Sequence, residues 1–344
     1  MLKGKVDKIL LGHGSGGRLM HQLVRDYFVP EFGMKDLGDA AVIRPFTGSP
    51  QRLAFTTDSY VVSPIFFPGG DIGDLAVNGT VNDLSMVGAR PLYLSAGFII
   101  EEGFLMDDLR KVLFSMSSAA KKAGVSIIAG DTKVVDKGKG DGIFINTSGV
   151  GLVPEGIDLG PQKIRAGDKV IISGPIGNHG IAALAQRNGL TFDPPVTSDS
   201  AALNGLVELM LSVASQGEIR MMRDPTRGGV ATTLKEMALE SGCCITIRER
   251  DMPVPGGVKG ACELLGLDPL FVANEGILVA VVSTDAAGPL VEKMRSHEYG
   301  RNSLIVGEVS NDDPGSRGMV LLRTEIGGTR IVDMLAGEQL PRIC

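Results

Sequence analysis

The stretch LMDDLRKVLFSMSSAAKKAGVSIIAGDTK, residues 105–133, contains a complete helix-to-strand unit. Its apolar residues recur at spacings of three and four, which predicts an amphipathic helix; they are Leu105, Leu109, Val112, Leu113, Met116 and Ala120. Gly124 is a typical helix-ending residue, and the apolar run 126–129 beyond it predicts a strand. The unit indicates a fold of the α/β or α+β class.

The same alternation of strands and helices extends over the rest of the chain. In the first half we predict strands at 53–57, 143–147 and 169–173 and a helix at 72–87. In the second half we predict helices at 200–215 and 229–240 and strands at 277–282, 303–306 and 319–322. The turn-rich segment 154–168 separates the halves, so we expect two α/β domains, 1–160 and 161–336, and a C-terminal tail, 337–344.

The composition excludes several classes of protein. The chain has 344 residues, 43% of them apolar, and a formal net charge of −6. An acidic chain without a dense run of Lys and Arg is not expected to bind nucleic acid. No apolar stretch reaches membrane-spanning length, and the N-terminus lacks the apolar centre of a signal peptide. We therefore expect a cytoplasmic protein with no membrane segment.

The four cysteines fall into two groups. Cys243, Cys244 and Cys262 lie in strand-like or helix-like runs and are expected in the core, because no CxxC pair indicates a disulfide framework or a zinc site. Cys344 is the last residue, in a polar tail that we expect to join no core. Eight extended residues span about 26 Å, so the thiol would be loaded by a partner and then presented elsewhere. The alternative is a frayed terminus with an incidental cysteine.

Acidic residues follow several of the predicted elements of the first domain. They are Asp39, Asp58, Asp83 and Asp131. Carboxylates that converge repel each other unless a cation lies between them, and Mg²⁺ with a nucleotide triphosphate suits oxygen ligands. Lys133 would add a point charge for a phosphate. The alternative for each acid alone is a simple turn residue.

Glycine-rich turns carry the other candidate residues. The loop 12–17 precedes a helix predicted from about Arg18, and its amides would cradle phosphate, although it has neither the P-loop nor the GxGxxG pattern. In the second half Asp224 and Thr226 precede a helix, for which helix capping is the alternative. His179, in another glycine turn, faces either substrate or solvent.

The order of these motifs resembles the ATP-binding superfamily of aminoimidazole ribonucleotide synthetase, thiamine-monophosphate kinase and selenophosphate synthetase. Within it, the chain is most similar to the HypE family of hydrogenase maturation factors, carbamoyl dehydratases whose members also end in a cysteine. The resemblance covers nearly the whole chain and rests on motifs at 13–17, 38–41, 57–59, 82–85, 130–133, 224–229, 274–275 and 341–344.

The resemblance implies a fold, partners and residue roles. It implies a homodimer whose N-terminal sheets join into a barrel, with a carbamoyltransferase (HypF) that loads Cys344 and an iron-carrying HypC–HypD complex that receives cyanide. The implied catalytic residues are Cys344, Lys133 and Glu275. The implied nucleotide contacts are Gly14, Ser15, Gly16, Asp58, Asn82, Asp131, Asp224, Thr226 and Asn274. The implied Mg²⁺ ligands are Asp39, Asp58, Asp83, Asp131 and Asp224.

The implied reaction is the dehydration of an S-carbamoyl group on Cys344 to a thiocyanate, with ATP phosphorylating the amide oxygen so that phosphate leaves. The product would supply the cyanide ligand for the iron centre of [NiFe]-hydrogenase. Arg342 would favour the thiolate of Cys344, so we expect Arg342→Glu to slow loading more than dehydration.

Two other hypotheses for the function stay open. A synthetase or kinase of the same superfamily would act on a free small molecule without Cys344. Of these, a selenophosphate synthetase is disfavoured, because the chain has Ser15 where that family has Cys or selenocysteine. Alternatively, the chain is a thiol carrier or scaffold with an inactive nucleotide fold.

Overall fold

The structure is a computed structural model that describes residues 8–14, 17–32, 38–44, 51–311, 314–335, 340 and 342–344. Ser15 and Gly16 lie outside the described residues. The helices are α1 (Arg18–Leu23), α2 (Val29–Phe32), α3 (Ile72–Met86), α4 (Met106–Ala123), α5 (Asn178–Asn188), α6 (Asn204–Val213), α7 (Gly229–Ser241), α8 (Gly256–Leu265) and α9 (Thr284–Met294). The strands are β1 (Ala41–Ile43), β2 (Arg52–Tyr60), β3 (Phe66–Phe67), β4 (Gly70–Asp71), β5 (Arg90–Glu101), β6 (Ser126–Val135), β7 (Ile143–Val153), β8 (Lys169–Ile172), β9 (Ile219–Arg223), β10 (Cys244–Arg248), β11 (Val279–Val282), β12 (Leu304–Ser310), β13 (Val320–Arg323) and β14 (Thr329–Val332).

The predicted elements are all confirmed, with small differences at their ends. The helix predicted in 105–133 is α4, and Gly124 ends it in the left-handed conformation, at φ 72°. The run 126–129 is the start of β6, which continues to Val135. The sequence did not predict β5, the twelve-residue strand that lies between β7 and β6 in the first sheet.

The first sheet has five strands in the order β1-β2-β7-β5-β6, and only the β5–β6 pair is parallel. Helix α3 covers one face. It begins with a capping box: the Asp71 side chain accepts the Asp74 N–H, and the Asp74 side chain accepts the Asp71 N–H. Almost every residue of α3 is buried, because the first sheet, α4 and elements of the second domain all pack against it.

The other face of the first sheet is open. Every residue of β6 is exposed except Val135, which is partly buried. Apolar side chains lie on this face or edge with much of their surface exposed; they are Val42, Ile43, Phe55, Tyr93, Ile99, Ile128 and Val134. An apolar sheet face with unpaired edge strands is typical of a surface that another chain covers.

The second sheet has seven strands in the order β14-β13-β10-β12-β8-β11-β9. Alternate residues of β8 point to opposite faces. Val170 and Ile172 pack in a cluster with residues of α7, whereas Ile171 packs in a cluster with residues of α6 and α9. Both faces are therefore covered, and the first sheet ends at Val153 before the second begins at Lys169.

The C-terminal residues contradict the expectation that they join no core. Ile343 is 1% exposed and Cys344 7% exposed, and both pack in a cluster with Ala183 and Ala273. The Val61 N–H donates to the main-chain carbonyl oxygen of Cys344 over 3.0 Å, and the Ser63 N–H donates to the Arg342 carbonyl oxygen over 3.2 Å. These backbone bonds seat the end of the chain beside the segment that follows β2. No helix in the described part of the chain is long and apolar enough to cross a membrane.

Candidate active site

Four carboxylates meet where the two domains face each other. Asp39 precedes β1, Asp58 lies in β2, Asp83 lies in α3, and Asp224 follows the end of β9. Asp58 pairs in register with the buried Thr147, so it lies on the sheet face that α3 covers. The Thr56 hydroxyl, on the same face, lies 2.9 Å from Asp83 Oδ2 and 2.8 Å from the Asp39 carbonyl oxygen.

The electrostatics of this cluster favour a cation. Burial, followed by the charges of Asp224, Asp58 and Asp39, raises the pKa of Asp83 well above its usual value. Burial and then Asp39 raise the pKa of Asp224 to about 8. The pKa values of Asp39 and Asp58 are also raised, mainly by burial, with Arg223 and Arg227 acting against the rise. Without a cation, these groups cannot all ionise at neutral pH.

The four carboxylates suit Mg²⁺, but they supply only part of its coordination shell. No three Asp, Glu, His or Cys side chains within the described ranges converge as a ready-made metal site. Mg²⁺ commonly takes one or two protein carboxylates and completes its shell with water and phosphate oxygens. Buried carboxylates that repel one another, without a full ligand cage, are consistent with a metal that arrives with a nucleotide.

Arg223 fixes the back of the cluster. Its Nη1 lies 3.2 Å from Asp39 Oδ1 and 2.9 Å from Glu236 Oε2, and its Nη2 lies 3.2 Å from Glu240 Oε1. The two glutamates lie one turn apart on α7, so a single guanidinium joins the segment before β1 to that helix. The side chain of Arg223 is only 10% exposed, and such buried pairs are costly to break on one side.

Glu275 is held between the domains. Its N–H donates to Asp199 Oδ2 over 3.2 Å, and its side chain is buried, with an Oε1 that has no hydrogen-bond partner among the described residues. Burial, followed by the nearby charges of Asp224 and Asp199, raises the pKa of Glu275 well above its usual value. A buried carboxylic group with a vacant oxygen is suited to exchange a proton with a bound substrate.

The Cys344 thiol lies against this cluster. Burial raises its pKa to about 12, Arg227 opposes the rise, and Glu275, Asp58 and Asp224 add to it. Arg227 also donates from Nη1 to the Gly14 carbonyl over 3.0 Å, which ties the glycine-rich loop to the site. The structure therefore brings together Cys344, Glu275, Asp39, Asp58, Asp83 and Asp224, with Gly14 connected through Arg227.

Arg342 does not take the role expected for it. Its guanidinium contacts the Val61 carbonyl (Nε, 2.8 Å) and the Asp141 carboxylate, and it lies 5.8 Å from the centre of the Phe144 ring. These contacts direct it away from the thiol, and Arg227 is the cation that favours the thiolate. Arg342 thus anchors the terminus on the first domain.

Asp131 and Lys133 are not part of this cluster in the chain. Asp131 pairs in register with Gly97 and Lys133 with Ile99, which is exposed, so both lie on the open face of the sheet, opposite to Asp58. Strand β6 is also three strand spacings from β2, about 14 Å. The two side chains pair with each other at 2.7 Å. The expectation that they join the other acids within one chain is wrong, because sequence spacing does not show which sheet face a residue occupies.

Two of the expected nucleotide contacts, Asn82 and Asn274, are structural. Asn82 is fully buried; it donates to the carbonyls of Ala201 (3.0 Å) and Glu275 (3.4 Å) and accepts from Leu203 N–H (2.8 Å). Asn274 accepts from the Gly177 N–H and donates to the carbonyls of Pro225 and Val272. The side-chain amides of Asn82 and Asn274 thus form their hydrogen bonds with other groups of the protein. This corrects the expectation that they contact the nucleotide. They position the loops that carry Glu275 and Asp224.

The capping alternative for Asp224 and Thr226 is also wrong. The residue before α7 is Gly228, at φ 83°, and no side chain caps this helix. Thr226 instead forms a backbone turn, in which its N–H donates to the Asp224 carbonyl over 3.1 Å and its own carbonyl accepts from Gly229. This turn directs Asp224 into the cluster.

Sequence reasoning missed Arg223, Arg227 and Tyr60 as members of the site. The two arginines flank the Asp224-Pro225-Thr226 turn in the sequence. Two cationic residues on either side of one acidic residue could have indicated that both belong to the site. Burial, followed by Asp58 and Asp83, raises the pKa of the Tyr60 hydroxyl, but nothing in the sequence around Tyr60 indicated this.

Known proteins share this architecture. The model of the AIR synthase related protein, N-terminal domain, matches residues 37–153, and that of the C-terminal domain matches residues 165–319. The carbamoyl dehydratase HypE of Bradyrhizobium diazoefficiens is 54% identical over 97% of this chain and 95% of its own. That of Escherichia coli K12 is 42% identical over 98% of this chain and 100% of its own.

Solved structures of similar proteins have the same fold as this chain. A hydrogenase maturation protein HypE in complex with ATP is 46% identical, with a TM-score of 0.82 over 98% of this chain and 100% of its own. The HypE–HypF complex gives 49% identity and a TM-score of 0.84 over 91% of this chain and 99% of that chain. A thiamine monophosphate kinase from Aquifex aeolicus, at 17% identity and a TM-score of 0.65 over 92% of this chain and 99% of its own, shares the fold.

Two joined α/β domains with an acid cluster between them define a protein of the AIR synthase related class. Within that class, the chain belongs to the HypE family of carbamoyl dehydratases.

Proposed function

We propose that the chain uses ATP to dehydrate an S-carbamoyl group on its own Cys344 to a thiocyanate, supplying a cyanide ligand for the iron of a [NiFe]-hydrogenase. The observation that carries this proposal is the burial of the Cys344 thiol against Glu275 and the acid cluster. A kinase for a free small molecule needs no cysteine thiol buried against its acid cluster. A passive carrier needs no acid cluster around its thiol.

The reaction balances as S-carbamoyl-cysteine plus ATP giving S-cyano-cysteine, ADP and phosphate. The carbamoyl oxygen attacks the γ-phosphorus of ATP, and ADP leaves. The N–H protons of the resulting O-phosphorylated thioimidate become acidic, so a carboxylate can remove one as the carbon–oxygen bond breaks and phosphate departs. The second N–H proton is lost to phosphate or water.

Glu275 is the proposed base. It is buried near the thiol, and one of its oxygens has no partner in the described part of the chain. Its raised pKa makes the ionised form a stronger base, and the positive charge of Arg227 opposes that rise. Docking of the tail makes the reaction intramolecular, which supplies a high effective concentration of substrate.

Asp39, Asp58, Asp83 and Asp224 are the proposed Mg²⁺ ligands in one chain. Bound Mg²⁺ would offset the charge of the triphosphate. Asp58 and Asp224 would also contact ATP, as would Gly14 and, outside the described residues, Ser15 and Gly16. The known ATP complex of a similar HypE supports nucleotide binding in this fold.

A homodimer is proposed to complete the site. The free edges of the first sheet are β1 and β6, and its open face is apolar. A barrel that joins β6 of one chain to β1 of the other would bring Asp131 and Lys133 next to the segment of the second chain that carries Asp39. These two residues would then act on a nucleotide bound by the partner, Asp131 on the metal and Lys133 on the phosphates.

The proposed partners follow from the position of the thiol. A carbamoyltransferase of the HypF type would load Cys344 when the terminus is undocked, and an iron-carrying HypC–HypD complex would receive the cyanide. The solved HypE–HypF complex of a similar chain supports the first partner. The proposed location of these reactions is the cytoplasm.

Intact-mass spectrometry tests the reaction. The protein is incubated with its carbamoyltransferase, carbamoyl phosphate and ATP. We expect the mass to increase by one carbamoyl group and then decrease by one water, with both changes absent in Cys344→Ala. Cys262→Ala is the matched control, because Cys262 is buried in α8. Carbamoylation without ATP-dependent water loss would contradict the proposal.

Mixed dimers test the sharing of sites. Lys133→Ala and Glu275→Gln homodimers should both be inactive, whereas a mixture of the two should regain activity. In each heterodimer, one site receives Glu275 from one chain and Lys133 from the other. No recovery on mixing would contradict the shared site.

A further inference from the structure

The docked terminus depends on His179, which the proposed chemistry does not use. His179 lies at the start of α5 and is fully buried. Its Nε2 lies 2.7 Å from the Ile343 carbonyl oxygen, one residue before Cys344, and its Nδ1 lies 2.9 Å from Ser198 Oγ. The ring also packs edge-on against Phe67, with 5.3 Å between ring centres.

The contacts of the imidazole determine where its proton lies. A carbonyl oxygen only accepts, so Nε2 must carry the hydrogen and donate it to Ile343. Nδ1 is then an acceptor and requires the Ser198 hydroxyl as donor. Ser198 Oγ in turn accepts the Ser200 N–H over 3.1 Å. The chain of bonds from Ser200 to Ile343 thus runs in one direction, with every donor and acceptor satisfied.

Burial supports the same protonation state. It lowers the pKa of His179 to about 4, so the ring is neutral at neutral pH. A neutral ring with its proton on Nε2 is the form that holds Ile343.

The same segment of the chain holds the proposed base. Asp199, next to Ser198, accepts the His179 N–H over 3.0 Å at Oδ1 and the Glu275 and Gly276 N–H groups at Oδ2 over 3.2 and 3.0 Å. A side chain at Gly276 would lie 1.7 Å from the Asp199 carbonyl oxygen, so the two segments are in direct contact. The residues that hold the terminus and the residue proposed to act on it therefore share one support.

We propose that His179, oriented by Ser198, is the positioning residue that holds the last peptide so that the Cys344 sulfur lies against Glu275. In this role His179 does not touch the reacting atoms. It sets the fraction of time for which the terminus is docked, and so it favours dehydration and opposes loading. This part of the proposal rests on the proposed function, whereas the docking itself does not.

Alkylation of Cys344 tests the docking without any turnover. The probe is iodoacetamide, and the C-terminal peptide is quantified by mass spectrometry in the full-length protein without nucleotide. Loss of one buried hydrogen bond should expose the thiol about tenfold more often. We expect His179→Leu to label about tenfold faster than wild type and Ser198→Ala roughly three- to tenfold faster.

The conservative variant and a control separate positioning from stability. His179→Gln keeps an N–H donor at the end of the side chain, so it should label within about threefold of wild type. His297→Gln is the matched control, because His297 follows α9 and accepts from the Tyr299 N–H. Cys243, Cys244 and Cys262 report general unfolding, because all three are buried.

Several outcomes would overturn the proposal. It fails if Cys344 labels at the wild-type rate in Ser198→Ala, or if His179→Gln labels as fast as His179→Leu. It also fails if the three internal cysteines accelerate together with Cys344 in Ser198→Ala. If His179→Leu does not fold, Ser198→Ala still tests the proposal, because it removes only a hydroxyl group from a partly buried position.

A second readout connects docking to the chemistry. In single-turnover assays, Ser198→Ala should slow dehydration of preloaded protein while the carbamoyltransferase loads Cys344 at least as fast as in wild type. A fold defect would slow both steps, which would overturn the proposal. If Cys344 labelling changes as expected but wild-type protein shows no ATP-dependent water loss, the proposed function fails and the docking role of His179 stands.

Discussion

Replacing Asp224 by Asn should stabilise the protein without nucleotide and remove its response to ATP. Asp224 is 9% exposed, and burial followed by Asp39 raises its pKa from 3.8 to about 8. A carboxyl with a raised pKa in the folded state costs stability as the pH rises from its unfolded value towards its folded value. The Asn side chain has a similar shape and carries no such cost.

The size of the effect follows from the shift. Each pH unit above 3.8 costs about 1.4 kcal/mol, so the cost is about 4 kcal/mol at pH 7 and about 1.6 kcal/mol at pH 5. The neighbouring acids share this cost, so we expect a gain of about 2 to 4 kcal/mol at pH 7. That gain corresponds to a melting temperature roughly 5 to 10 °C higher.

The assay is thermal unfolding with chelator present, at pH 5 and pH 7. Asp136→Asn is the control, because Asp136 is exposed after β6. With Mg²⁺ and ATP added, wild-type protein should gain stability and Asp224→Asn should not. A lower melting temperature for Asp224→Asn at pH 7, or a gain that is as large at pH 5 as at pH 7, would refute the reasoning.

Three further predictions concern the base, the terminus and the open sheet face. Glu275→Gln should slow single-turnover dehydration of preloaded protein by about 10²- to 10⁴-fold, with loading by the carbamoyltransferase unchanged; equal slowing of both steps would exclude a role as base. Arg342→Glu should slow dehydration more than loading, the reverse of the sequence-based expectation, because it breaks the ion pair with Asp141. If the same assays show that loading is slowed more than dehydration, the role expected from the sequence would be restored. Ile128→Lys should give a monomer by light scattering and lose activity, since Ile128 is 65% exposed on β6; a Lys121→Gln control should remain dimeric, and a dimeric Ile128→Lys would contradict the proposed interface.

Local sequence patterns predicted many of the regular elements, but not all of them. Spacings of three and four around Val112 and Met116 predicted α4, and its end at Gly124 needed only a residue that tolerates the left-handed conformation. These features depend on neighbours along the chain, so the chain itself contains the information. The strand β5 was missed because Arg90 and Pro91 at its start, and Gly97 within it, interrupt the strand pattern.

The motif residues were recognised more reliably than their roles were assigned. Asp83 interacts electrostatically with Asp39, Asp58 and Asp224, whereas Asn82 and Asn274 lie between the same loops but bind backbone groups. A sequence motif does not separate a residue that contacts a ligand from one that holds the loop in place. Only the full set of hydrogen bonds makes that distinction.

The sequence by itself determined the alternation of helices and strands, the family motifs and the presence of the Cys344 thiol after the last of these motifs. Tertiary structure alone decided that Asp131 and Lys133 lie on the opposite sheet face from Asp58, and that Cys344 is docked through Val61, Ser63 and His179. The physical reason is that sheet register and long-range hydrogen bonds join residues far apart in the chain. His179 and Ile343 are separated by 164 positions, and no local pattern connects them.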